Sequence, residues 1–200
     1  MAPQLRVISG GSQVGEVADE DLVRSFVDGE AAALGQLIAR HQDAVFRVAR
    51  RFTRSAEEAR DLSQRVFLRS IEAGVDTLAR LERDQVPFRA WILRVALNLG
   101  FNHVRDSKAS RTANVESLSL VSAAPGPQQS LERAEEEALT RRAVLELPGR
   151  QREVFLLRID AGLPFAQVAQ TLGITESNAK SHFHHAVQRL KAEVAKAGQP

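Results

Sequence analysis

The stretch LPGRQREVFLLRIDAGLPFAQVAQTLGITESNAKSHFHHAVQRLK, residues 147–191, decides the fold. Val154, Phe155, Leu157 and Ile159 recur at helical spacing over roughly 150–161, and Gly162 ends that helix. Pro164 opens a short helix carrying Phe165, Val168, Ala169 and Leu172. Gly173 makes a turn, and Thr175 caps a longer helix with Ala179, Phe183, Ala186, Val187, Leu190 and Val194 inward. A short helix, a glycine turn and a longer helix make a helix-turn-helix. Its close crossing needs small residues where the helices touch. Ala166, Ala169 and Gly173 supply them, and Ile174 plugs the angle.

The second helix of such a unit enters the major groove with a polar, basic face, and its N-terminal half reaches base edges. Ser177, Asn178, Lys180, Ser181, His184 and His185 lie on that open side, followed by Gln188, Arg189 and Lys191 towards the phosphates. A helical hairpin merely solvated on one side would not need small residues and a glycine at this spacing. His182 and His185 stand three apart with His184 between them, which invites a metal reading. No carboxylate or Cys joins them at helical spacing, and two imidazoles do not complete a zinc site, so phosphate or base contact is favoured.

Upstream, Leu34, Leu37, Ile38, Val45, Val48, Ala49 and Phe52 form the stripe of an amphipathic helix within 31–53. Ser55 and Glu58 make a capping box that opens a helix with Ala59, Leu62, Val66, Ser70 and Ile71 on one face and Phe67 beside them. A charged loop is expected from Gly74 to Asp84. Pro87 suits the first turn of a further helix with Phe88, Trp91, Ile92, Val95, Ala96 and Leu99 inward. No alternating β pattern occurs, so the chain is expected to be all-α.

Residues 1–17 carry Gly10, Gly11 and Gly15 without a period and read as a flexible lead-in. An N-terminal helical bundle is expected over 18–106. From 107 to 130, a run of serines with Pro125, Gly126 and Pro127 reads as a linker. The helix-turn-helix module then occupies 131–200. It starts on the acidic residues Glu132, Glu135, Glu136 and Glu137, which favour the positive end of a helix dipole.

The 200 residues suffice for one medium or two small domains. A formal net charge of +2 does not by itself announce a nucleic-acid partner, so the placement of the charges must carry that claim. The absence of Cys excludes disulfides, thiol catalysis and Cys-ligated zinc. No apolar run approaches the ~20 residues of a membrane span, and no signal-peptide pattern opens the chain. No Gly-rich phosphate loop and no Ser/His/Asp grouping in a plausible frame is present. His41 and His103 are single histidines, read as core-edge or surface residues. The expectation is a cytoplasmic, nucleoid-associated protein that is not an enzyme and takes no cofactor or metal.

Residues 147–191 resemble region 4 of extracytoplasmic-function (ECF) bacterial RNA polymerase sigma factors. EEARDLSQRVFLRSI (57–71) and FRAWILRVALNLGFNHVR (88–105) resemble their region 2. Two motifs in the right order across a linker are far more specific than a helix-turn-helix alone. The resemblance implies binding to core RNA polymerase, through the clamp helices of its largest subunit, and recognition of promoter DNA. Region 4 would read the minus-thirty-five element through Ser177, Asn178, Lys180, Ser181, His184 and His185. Region 2 would recognise and melt the minus-ten element, with Arg89, Arg94, Asn98, Asn102 and Arg105 on the polar side of their helix and a base-capturing loop at about 75–86.

Asp61, Gln64, Arg65, Leu68 and Arg69 lie opposite the core stripe of the capping-box helix. A lone exposed Leu needs no explanation of its own, but the resemblance of DLSQRVFL to the family's polymerase-binding helix assigns this face to the polymerase. Arg65 departs from the pattern, where an acidic residue is usual, and Asn102 stands where Asp is common. Trp91 is either a stacking platform for an unpaired base or a core residue, and its place in the apolar stripe favours the core. His182 and His185 replace residues that are usually Arg. Neutral imidazole releases fewer counterions than Arg, so weaker intrinsic DNA affinity is expected above the histidine pKa of about 6.5. The family further implies an anti-sigma factor, often membrane-anchored, without membrane insertion of this chain. The alternative is a helix-turn-helix regulator that acts on duplex DNA independently of polymerase and uses its N-terminal bundle for a ligand or for dimerisation.

Overall fold

The computed structural model describes residues 17–84, 86–113 and 138–197. The lead-in up to residue 16, most of the expected linker and the acidic run from Glu132 to Glu137 lie outside the described residues. The helices are α1 (Asp19–Val27), α2 (Ala31–Arg50), α3 (Ala56–Glu72), α4 (Gly74–Arg83), α5 (Phe88–Ala113), α6 (described over 138–146), α7 (Gly149–Ile159), α8 (Phe165–Leu172) and α9 (Glu176–Ala197). The described residues contain no strand, in keeping with the all-α expectation.

The first five helices bury Leu37, Val45, Val48 and Phe52 of α2 and its end against Leu62 and Val66 of α3 and Phe88, Ile92 and Leu93 of α5. Burying each such side chain contributes roughly 1.5–3 kcal/mol, so the stripe spacing is what makes the bundle. The capping box forms as expected: Glu58 N donates to Ser55 Oγ at 3.0 Å. Its return bond reaches one residue further back, with Arg54 N donating to Glu58 Oε2 at 2.8 Å. Pro87 lies just ahead of α5, where its carbonyl accepts from Trp91 N at 3.1 Å.

α1 is pinned by a single carboxylate. Asp19 accepts Arg40 Nη1 at 2.5 Å and pairs with His41 Nε2 at 2.6 Å. Burial pushes the Asp19 carboxyl up, but the hydrogen bonds from His41 and Arg40 outweigh it and hold the group below its ordinary value. His41 is therefore an interior residue, 5% exposed beside the Phe88 ring, and not the core-edge or surface residue expected.

Several expectations need correction. The loop expected at about 75–86 is mostly helix α4, because Leu78 and Leu81 share a face and are buried despite the charges around them. Gly74 adopts φ +70°, which ends α3 and redirects the chain into α4. Ile71 is 47% exposed and not in the core, since it lies about 100° around the helix from buried Ser70. Helix α5 runs to Ala113, past the boundary expected at 106. Ile159, expected inward, is 50% exposed.

Helices α6–α9 form the second module around Val144, Val154, Leu157, Leu163, Val168 and Ala179. Gly173 takes the left-handed conformation at φ +64°, and Asn178 N donates to Thr175 Oγ1 at 3.2 Å, so both ends of the turn are capped as expected. The small residues at the crossing are not quite those expected. Ala169 and Ala179 are buried there, whereas Ala166 and Gly173 are exposed. The two modules touch: α5 packs on α8, and one hydrophobic cluster runs through both.

Candidate nucleic-acid interface

Helix α9 packs through Ala179, Phe183 and Ala186, and Phe183 makes its aromatic contacts. The Phe183 ring stacks on Phe155 of α7 at 6.1 Å and meets Phe165 of α8 edge-on at 5.4 Å. Offset and edge-on aromatic pairs add to the area they bury, so α9 is fixed against both neighbours at once. Arg158 lies over the other partner, Phe165, at 5.1 Å.

With that face buried, Ser177, Asn178, Lys180, Ser181, His184 and His185 are all exposed, as are Gln188, Arg189 and Lys191. The six residues expected to face DNA therefore share one open side. His182 is half-buried, apart from that row. Lys180 Nζ pairs with Glu176 Oε1 at 2.7 Å, one turn earlier on the same helix. Both partners are well exposed, so a phosphate can displace the pair at small cost.

A second surface lies on α3. Asp61, Gln64, Arg65 and Leu68 are exposed, with Leu68 at 56%. Ile71, one turn further on, is also exposed, and so is Val75 at the start of α4, at 43%. Leu68 is thus one of three exposed apolar side chains between residues 68 and 75. Spacing alone found Leu68 and missed the other two, because Val75 was assigned to a loop and Ile71 to the core.

The third candidate group, on α5, divides in two. Asn98, Asn102 and Arg105 are exposed. Arg94 lies in the same helical row and is also exposed, while its Nη1 donates to the carbonyl of Thr171 at 2.9 Å. Arg89 Nη2 donates to the carbonyl of Ala161 at 2.7 Å. Both acceptors belong to the second module. Trp91 is half-buried and packs on Phe88 at 5.7 Å, which agrees with the core reading.

Two more arginines reach across the same seam from α2 and its end. Arg47 Nε donates to the Asp160 carbonyl at 2.9 Å, and Arg51 Nε donates to Asp160 Oδ1 at 2.8 Å. Asp160 is 8% exposed, and its second oxygen, Oδ2, is buried without a partner. Burial pushes the Asp160 carboxyl above its ordinary value, against the opposing pull of Arg51 and Arg47. Further along the seam, Arg141 Nη1 donates to the Thr53 carbonyl at 2.7 Å and Arg152 stands over the Phe101 ring at 4.5 Å.

Comparisons with known proteins agree with this geometry. The sigma-70 region 2 family matches residues 37–110, and sigma-70 region 4 matches residues 138–190. The ECF RNA polymerase sigma factor SigD of Mycobacterium tuberculosis (strain ATCC 25618 / H37Rv) is 30% identical over 182 residues, covering 88% of this chain and 84% of SigD. The structure of CnrH in complex with the cytosolic domain of CnrY superposes with a TM-score of 0.65 at 26% identity, over 92% of this chain and 100% of that one. The sigma factor RpoE, solved with the anti-sigma factor NepR from Bartonella quintana, shares the fold with a TM-score of 0.53 at 18% identity, over 82% and 98% of the two chains. With both family regions in sequence order, each on its own helical module, the chain belongs to the ECF RNA polymerase sigma factors, which direct transcription initiation.

Proposed function

We propose that this chain binds core RNA polymerase through the exposed strip on α3, reads a minus-thirty-five element with α9, and recognises and opens a minus-ten element with α5. The observation that carries the reading is the α9 row. Six polar side chains are exposed together on a helix whose opposite face is fixed by Phe183, as major-groove entry requires. On α3, Leu68 and Ile71 offer exposed apolar side chains beside Asp61, Gln64 and Arg65, the surface that suits helix-against-helix docking on the clamp helices of the largest subunit. On α5, Asn98, Asn102 and Arg105 supply donors for phosphates and unpaired bases beside the arginines of the seam.

In this role the chain supplies no catalysis of its own and positions the polymerase that does. It works in the cytoplasm on nucleoid DNA. No helix among the described residues is long and apolar enough to cross a membrane. An anti-sigma factor is a further partner, supported by the likeness to RpoE, whose structure contains one. Run-off transcription with core polymerase on a library of promoter fragments tests the function. Initiation at new start sites, dependent on the added chain, is the expected result. Unchanged start sites at saturating chain would overturn it.

A further inference from the structure

Permanent charge is thinly spread along the open row of α9. Ser177, Asn178 and Ser181 are neutral, and Lys180 already holds Glu176 at 2.7 Å. The remaining members, His184 and His185, are both exposed, with ring centroids 6.1 Å apart. Histidine is the one side chain whose ordinary titration falls between pH 5 and 8. These two are therefore the only members of the row that can gain charge in that range. Their charged neighbours on the helix are cations: Lys180 one turn before His184, Arg189 one turn after His185, and Lys191 beyond. The acids of α9, Glu176 and Glu193, stand about two turns from the pair. Helix α8 carries no charged residue. On α7, Arg150 pairs with Glu153, Arg152 donates to the Leu145 carbonyl and Arg158 to the Leu163 carbonyl, so none of these reaches the two rings. An imidazolium here has no counter-charge within the bare chain, and a DNA phosphate supplies one.

We infer that His184 and His185 make the grip of α9 on DNA acid-responsive: each takes up a proton as it meets a phosphate, and affinity rises as pH falls. This rests on the assignment of the α9 row to DNA made above. The sign follows from linkage, since the state that binds more protons, here the DNA-bound one, is favoured at lower pH. The mechanism is counterion release. An imidazolium that neutralises a phosphate sets a bound cation free, which a neutral imidazole does not. Each such contact steepens the fall of log K with log salt by about 0.9, so the pair together contributes about 1.8.

The test uses the full chain and a short fluorescent DNA duplex of random sequence, because phosphate contact is largely independent of sequence. Anisotropy gives the affinity across a series of KCl concentrations, once at about pH 8 and once at about pH 5.5, on either side of the histidine range. The parent chain is expected to show a salt slope steeper by about 1–2 at the lower pH. His184→Gln combined with His185→Gln, neutral throughout, should keep the shallow slope at both. His184→Arg combined with His185→Arg, charged throughout, should show the steep slope at both. Both positions are exposed, so neither pair of substitutions disturbs the packing of α9.

A parent slope that is the same at both pH values overturns the inference. A pH-dependent slope that survives the glutamine pair overturns it too, since the titrating group would then lie elsewhere, on His41, His103 or His182. Run-off transcription at a single pH reads the sigma-factor role independently. Start sites that move with the added chain while the salt slope ignores pH would refute this inference alone.

Discussion

Helices α9 and α5 carry the same kind of row, polar and cationic side chains along one face, yet the first is open and the second is partly taken. On α9 every expected contact residue reaches solvent, because the helix packs through its opposite face, with Ala179, Phe183 and Ala186. On α5 the demand comes from both sides. Its inner face packs in the first module while the tips of Arg89 and Arg94 are held by the second. Helical spacing decides which face a side chain leaves by. What meets it there is decided elsewhere in the chain.

The contrast is broken most severely by removing what holds each helix. Phe183→Ala deletes the ring between Phe155 and Phe165, and a half-buried aromatic of this kind costs about 2–3 kcal/mol. Thermal unfolding followed with hydrogen exchange should show α9 losing protection while α5 keeps it. Loss of protection in both helices together would mean that the modules unfold as one unit.

Helix α5 has a different anchor, the lack of a side chain at Gly100. A Cβ there would overlap the ring of Phe52. In an exposed helix Gly→Ala stabilises by about 1 kcal/mol. Here Phe52 is 4% exposed and closely packed against Phe101, so it has little room to yield. Gly100→Ala should destabilise by about 1–3 kcal/mol, or a fall in Tm of roughly 2–4 °C for each kcal/mol. A rise in Tm would show that the ring moves aside freely.

A smaller effect belongs to the seam. The closed chain holds the Asp160 proton more tightly than an aspartate in solvent, because burial outweighs Arg51 and Arg47. Protonation therefore favours closure: the gain is complete below the ordinary aspartate value and is lost as pH rises through the raised one. Arg47 and Arg51 on α2 and its end and Arg89 on α5 bring their guanidinium groups to the residues of this corner. The seam's contribution to thermal stability should rise as pH falls towards the ordinary aspartate value, read as Tm against pH. Asp160→Asn, which keeps an acceptor for Arg51, should remove that rise.

The smallest expected change is on α9. Glu176→Ala frees Lys180 and removes a carboxylate beside the row proposed to face DNA. DNA affinity should increase by about twofold while stability falls by about 0.3–0.5 kcal/mol, the size of an i,i+4 pair. Equal affinity in variant and parent would show that Lys180 is already displaced from Glu176 without help.

These differences also explain what was legible in the sequence. The helix-turn-helix was readable to within a residue or two, because each boundary carries a local signal: Pro164, Gly173, Thr175. Helix α4 was not, since Asp76, Arg80, Glu82 and Arg83 hide two buried leucines and Gly74 resembles a stop. Ile71 went to the wrong face because its neighbour Ser70 is buried and polar, which blurs the edge of the stripe. The capture of Arg89 by Ala161 and of Arg94 by Thr171 spans more than seventy residues. Backbone acceptors leave no mark in side-chain chemistry, so no motif could have announced them.

The use of main-chain oxygens at the seam has a bearing on heredity. Three of the four arginines grip carbonyls of residues 160, 161 and 171, and only Arg51 depends on the identity of its partner. Substitutions at residues 161 and 171 therefore leave these acceptors in place, whereas loss of an arginine removes a bond. None of these acceptors lies on α9, so the exposed row of that helix can change in a lineage while the four bonds are inherited intact.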